Sequence, residues 1–207
     1  MGAEILYTQL NIGCLSRNKF WGEPNDRAFR TAECTSTLLE LPDGSFLLVD
    51  PGLSYERMKE LIFNRRDVSI DRVSAIFLTH FHGDHWKDLN RYEQCRIYAG
   101  KEEIALHTGS SLPDRVEALP ENQFPGIKPI LLTGHTMGIT GLAFESGGYK
   151  VLVAGDIVMT RDFFLANEGF FNMVDEKALK ESYAYVKGHF DIIVPGHDVQ
   201  FFIKNSI

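Results

Sequence analysis

Short apolar runs that stop at a turn-forming residue and then present a histidine or aspartate recur along this chain. Phe46-Leu47-Leu48-Val49 ends in Asp50-Pro51-Gly52, and Ser74-Ala75-Ile76-Phe77-Leu78-Thr79 runs into His80. Pro129-Ile130-Leu131-Leu132 precedes Gly134-His135, Tyr149-Lys150-Val151-Leu152-Val153-Ala154 precedes Gly155-Asp156, and Asp191-Ile192-Ile193-Val194 precedes Pro195-Gly196-His197. Each run has the length and the aliphatic or β-branched character of a buried strand, and the Gly and Pro-Gly breakers let the chain turn. Strand ends that each offer one polar side chain are how a rigid sheet assembles a site. Residues 4–13 and 35–50 read as an antiparallel meander that turns at Pro42-Asp43-Gly44-Ser45.

A helical period replaces the strand pattern in three places. Over 55–66, Tyr55, Met58, Leu61 and Ile62 share a face behind Ser54 as cap, and Arg65-Arg66 suits the C-terminal end. A second helix is predicted over 101–107. The third is capped by Asp175, carries Ala178, Leu179, Tyr183 and Val186 as its apolar stripe, and is predicted to end at Gly188. Residues 85–91 contain no Gly or Pro and read as a helical turn or two.

At 207 residues, 44% hydrophobic and 24% charged, the chain is expected to form one domain over 1–207 with a substantial core. A net charge of −7 without any basic run argues against a nucleic-acid partner. No apolar segment long enough for a membrane span or a signal peptide is evident, so no membrane association is expected. Cys14, Cys34 and Cys95 show no CxxC spacing. Buried free thiols in a reducing cytoplasm are the expectation, with Cys14–Cys34 pairing under oxidation as the alternative.

The candidate chemistry lies in the histidines. Five of the seven fall in His80-Phe81-His82-Gly83-Asp84-His85, Gly134-His135-Thr136 and Pro195-Gly196-His197-Asp198. Imidazole and carboxylate are ligands for divalent metals, and His80, His82, Asp84 and His85, counted with His135, Asp156 and His197 in the later segments, exceed the four that one tetrahedral site uses, which implies two metals. In an extended segment His80 and His82 share a face, and Gly83 would permit a bend before Asp84 and His85. His107 and His189 lie off these segments and read as structural or surface residues.

The set His80-x-His82-x-Asp84-His85, then His135, Asp156 and His197, resembles the metallo-β-lactamase superfamily from about Thr35 to Asp198. The resemblance implies an α/β fold, a four-layer αββα sandwich with metals at one edge of two facing sheets. It places His80, His82 and His135 on the first metal, Asp84, His85 and His197 on the second, and Asp156 between them as a bridge. It assigns Asp50 a supporting role through hydrogen bonds. The implied activity is hydrolysis of an ester, thioester, lactone or phosphoester small molecule by a dinuclear centre and a bridging hydroxide, with Asp84 also serving as catalytic proton acceptor. Zinc is the default metal, and an all-N/O donor set also admits iron or manganese. The competing expectation is a mononuclear iron oxidoreductase of the persulfide dioxygenase type.

Departures from the superfamily's branches narrow this. β-Lactamases carry cysteine where this chain has Asp156, and too few residues follow His197 for the helical glutathione-binding domain of glyoxalase II. Quorum-signal lactonases place a tyrosine three residues after the bridging aspartate, and here that position is Met159. Residues 16–33 exceed a hairpin connection and hold Arg17, Lys19, Arg27 and Arg30 among Phe20, Trp21 and Phe29. The resemblance places this loop beside the metal edge, where it is expected to cover the site, with rings over an apolar group and cations on an anionic one. The alternative is a contact between copies in a homo-oligomer.

Overall fold

The computed structural model describes residues 4–107 and 115–203. The ends of the expected 1–207 domain lie outside these residues.

Eleven strands are described, in two sheets. The first sheet runs in order β1 (Leu6–Gln9), β2 (Thr37–Glu40), β3 (Phe46–Val49), β4 (Val73–Leu78), β5 (Arg96–Ala99) and β6 (Val116–Ala118). Its first three strands form the predicted antiparallel meander, and β3 to β6 are parallel. The second sheet contains β7 (Lys128–Leu131), β8 (Thr140–Ser146), β9 (Tyr149–Gly155), β10 (Ile192–Pro195) and β11 (Phe201–Phe202), in the spatial order β11-β10-β9-β8-β7. The helices are α1 (Tyr55–Arg66), α2 (Lys101–Leu106), α3 (Arg161–Ala166) and α4 (Glu176–His189).

The strands are apolar on both faces because both faces are covered. On β4, Ile76 and Leu78 pack with Met58, Leu61 and Ile62 of α1, while Ala75 and Phe77 point the other way. They meet Leu142, Val151, Val153 and Val194 of the second sheet. On β9 the alternate residues Leu152 and Ala154 pack against Leu179, Tyr183 and Val186 of α4. Helix, sheet, sheet and helix follow in that order, the four-layer αββα sandwich. Among the described residues no helix is long and apolar enough to cross a membrane.

Local detail departs from the sequence expectation at four points. The Ser54 side chain makes no capping bond. The Asp88 carboxylate accepts from the Tyr55 N–H at 3.0 Å, so a distant residue caps α1. Residues 85–91 form only one 3₁₀ turn, Leu89–Arg91, because Asp88 adopts a left-handed conformation (φ 51°) and Lys87 N–H is drawn to the Pro51 carbonyl at 2.9 Å. α4 continues through Gly188 to His189. Gly83 is not in the left-handed region, and a Cβ there would meet nothing within 4 Å, so the bend does not require glycine. The three cysteines are free; Cys34 and Cys95 are buried and Cys14 is half-buried.

Candidate metal centre

The site forms where strands end. β3 and β4 are parallel, as are β9 and β10, so their C-terminal ends lie together within each sheet. The two edges are tied by Thr140 N–H donating to the Thr79 carbonyl (2.9 Å) and Thr35 N–H to the Gly196 carbonyl (2.6 Å). Two glycines permit the approach. Gly155 has φ 56°, and a Cβ there would lie 2.5 Å from Thr79 Oγ1. A Cβ on Gly196 would lie 2.0 Å from Asp156 Oδ1.

His80, His82, His135 and Asp156 form one group whose ligand atoms all lie within 4.8 Å of one another, and Asp84, His85 and His197 form a second. Asp156 is set between them. Its Oδ2 is 3.8 Å from His80 Nε2, 3.4 Å from His135 Nε2 and 3.2 Å from His197 Nε2, and its Oδ1 is 2.9 Å from His85 Nε2. His197 Nε2 is also 3.6 Å from Asp84 Oδ2. All seven sequence-derived residues are thus brought together. His107 packs edge-on against Phe81, and His189 lies 2.7 Å from the Tyr185 carbonyl, both outside the two groups.

The outer atoms of the rings are fixed by hydrogen bonds, which decides which nitrogen faces inward. Asp50, at the end of β3 with φ 50°, accepts from Thr79 N–H (2.8 Å) and from the Thr79 hydroxyl (2.7 Å). Asp50 Oδ2 also lies 2.9 Å from His85 Nδ1. Because the Thr79 proton goes to Asp50, its Oγ1 can accept from His80 Nδ1 at 3.2 Å. His197 Nδ1 donates to the Glu33 carbonyl at 2.8 Å. These partners turn Nε2 of His80, His85 and His197 inward, an arrangement that orients metal ligands. Thr79 and the Glu33 carbonyl carried no sequence signal, since a backbone carbonyl can come from any residue.

The centre fits cations on its own geometry. His80 Nε2, His85 Nε2 and Asp156 Oδ1 are buried without a hydrogen-bond partner, so the close His85–Asp156 approach is not aligned as a hydrogen bond. Burial and the neighbouring imidazoles lower the His80 pKa, and burial brings that of His135 down to about 3, keeping both neutral. For His85 and His197 burial is the largest single effect and acts in the same sense, but the Asp156 charge and hydrogen bond, joined by Asp50 at His85 and by Asp84 at His197, together outweigh it and raise both. Asp156 is itself held well below the carboxylate range: burial opposes ionisation, and His197 and His85 overcome it. A buried, ionised carboxylate among imidazoles with unpaired inward atoms is a setting that calls for positive charge.

A cavity of about 280 Å³ opens on this edge, bounded by Asp84 and His197 on one side and by Leu15, Met159, Phe170 and Phe171 on another. The 16–33 segment contributes Ser16 and Ala32 to its wall. The segment is tied to α3 and its neighbours by a Lys19–Glu168 ion pair, by Trp21 Nε1 donating to Asp162 (3.2 Å) and by Phe20 against Phe163. Its cations are otherwise engaged. Arg30 pairs with Glu23, Arg17 lies 4.1 Å over the Phe171 ring, and Arg27 lies over Phe29. None of the four lines the cavity.

The sequence pattern of the metallo-β-lactamase superfamily matches residues 30–197. The chain belongs to this superfamily. Solved structures of similar fold include a metallo-β-lactamase-like protein from Thermotoga maritima, 18% identical with TM-score 0.67, covering 97% of this chain and 100% of that one. A quorum-quenching N-acyl homoserine lactone lactonase is 21% identical with TM-score 0.68, covering 96% and 95%. The dizinc quorum-quenching lactonase AidC is 16% identical with TM-score 0.66, covering 95% and 85%. At these identities the likeness establishes the fold. No curated protein matches the chain.

Proposed function

We propose that this metallo-β-lactamase superfamily member is a hydrolase of small esters, thioesters, lactones or phosphoesters. His80, His82 and His135 would hold one divalent cation and Asp84, His85 and His197 a second, with Asp156 shared. The observation that carries this reading is Asp156, whose Oδ2 faces the first group and His197 while its Oδ1 faces His85. Bound there, two divalent cations supply Lewis acidity and bring the pKa of a water towards about 7. Zinc suits these donors, and iron and manganese are compatible with them.

The chain's own residues supply the rest. The Asp84 side chain is 28% exposed at the cavity, and its carboxylate can take the proton released by the attacking water and return it to the leaving group. Asp50, Thr79 and the Glu33 carbonyl keep the rings in the ligating tautomer. Leu15, Met159, Phe170 and Phe171 offer an apolar wall, so the favoured substrates carry an uncharged apolar substituent. The whole of 1–207 acts as one domain, with 16–33 as the cover of the cavity. A mononuclear iron oxidoreductase would need only the first group, and the complete Asp84, His85 and His197 set weighs against it.

The test is a panel of short-chain esters, thioesters, lactones and phosphodiesters assayed with chelated and zinc-reconstituted protein. At least one class should be hydrolysed, with loss on chelation and recovery on zinc. Oxygen consumption with a glutathione persulfide by an iron-loaded protein that hydrolyses none of the panel would overturn the proposal.

A further inference from the structure

We infer that Glu103 is a positioning residue that clamps together the two loops carrying the three histidines of the first metal group. Glu103 is in α2, outside every ligand segment, and is 5% exposed. Its Oε1 accepts from the backbone N–H of Phe81 at 3.1 Å, and its Oε2 accepts from the Thr136 hydroxyl at 2.7 Å. Phe81 lies between His80 and His82, and Thr136 follows His135. One carboxylate therefore joins the loop after β4 to the loop after β7, and these arrive from different sheets.

The join matters because His82 and His135 must meet. Their rings approach with His82 Nδ1 and His135 Nε2 2.9 Å apart, and they belong to loops more than fifty residues apart in the chain. α2 is seated directly on the second loop: a Cβ on Gly138 would lie 2.3 Å from Glu103 N. The position of Glu103 is thereby set by the backbone it supports. A cavity of about 310 Å³ beside His82, Glu103 and Thr136 can admit water if the carboxylate is removed. Water can satisfy Phe81 N–H or the Thr136 hydroxyl separately, but it cannot hold the two at a fixed separation.

This inference rests on the two-cation reading above and is tested with the full chain, stripped of metal and titrated with zinc against a chromogenic chelator. Wild type should take up two equivalents; fewer would overturn the two-cation reading and this inference with it. In Glu103→Ala one equivalent should weaken by about 10–100-fold while the other keeps its affinity. Glu103→Gln should behave as wild type, because its amide oxygen accepts from Phe81 N–H and its NH₂ donates to Thr136 Oγ1. Thr136→Val removes one of the two bonds and should weaken the same equivalent by less. It carries the test if Glu103→Ala does not fold. With wild type binding two equivalents, unchanged affinities in Glu103→Ala and Thr136→Val, or an equal loss on both equivalents, would overturn the role of Glu103.

Discussion

Asp50 shows how much of this centre depends on a residue outside both ligand groups. It holds the Thr79 N–H, the Thr79 hydroxyl and His85 Nδ1 in a site closed to solvent. Asp50→Ala leaves these groups unpaired in the interior and should cost about 3 kcal/mol of stability, read from the denaturant midpoint of metal-free protein. The same variant should also bind metal more weakly, by about 10–100-fold. Unchanged stability and affinity would remove Asp50 from the account. Met159 carries a prediction about substrate. It lines the cavity with a thioether that donates no hydrogen bond, where lactonases are expected to use a phenol. Turnover of acyl-homoserine lactones should therefore fall below about 10⁴ M⁻¹s⁻¹ in kcat/KM. Steady-state kinetics at or above that value would contradict it. The candidate ligands were legible in the sequence because His and Asp cluster there after apolar runs. Thr79, the Glu33 carbonyl and Glu103 were not, since their roles exist only once distant segments meet.

At the scale of elements, the α1 terminus separates two ideas of capping. Ser54 stands at the cap position and makes no side-chain bond, while Asp88 reaches Tyr55 N–H from elsewhere. Asp88→Ala should cost about 0.5–2 kcal/mol and Ser54→Ala much less, measured by chemical denaturation. The reverse order would show that the local cap dominates. The helix itself was legible, because Met58, Leu61 and Ile62 repeat at helical spacing and are the residues buried. β11, with two residues, is too short to carry a period, and the Gly141 and Ala143 of β8 dilute its pattern. The 16–33 segment was legible as an excursion but not by its destination. It packs on α3 and walls the cavity, and its cations are held away from it. Deleting residues 18–28 should raise KM with metal content unchanged. A changed oligomeric state with normal KM would assign the segment to a subunit contact.

For the whole molecule, the layering follows from strands apolar on both faces, so each sheet is covered by helices outside and by its partner sheet inside. That arrangement leaves the strand ends as the place where polar side chains from both sheets can converge. Asp156, at the end of β9, is where the two groups of ligands meet. The most direct measurement is the number of metal ions bound per chain, by elemental analysis after equilibrium dialysis against zinc, for wild type and Asp156→Ala. Wild type should hold close to two, and the variant one or fewer with its circular dichroism spectrum preserved. A wild-type protein that holds one ion or none, or a variant that retains two tightly bound, would contradict the shared-carboxylate centre.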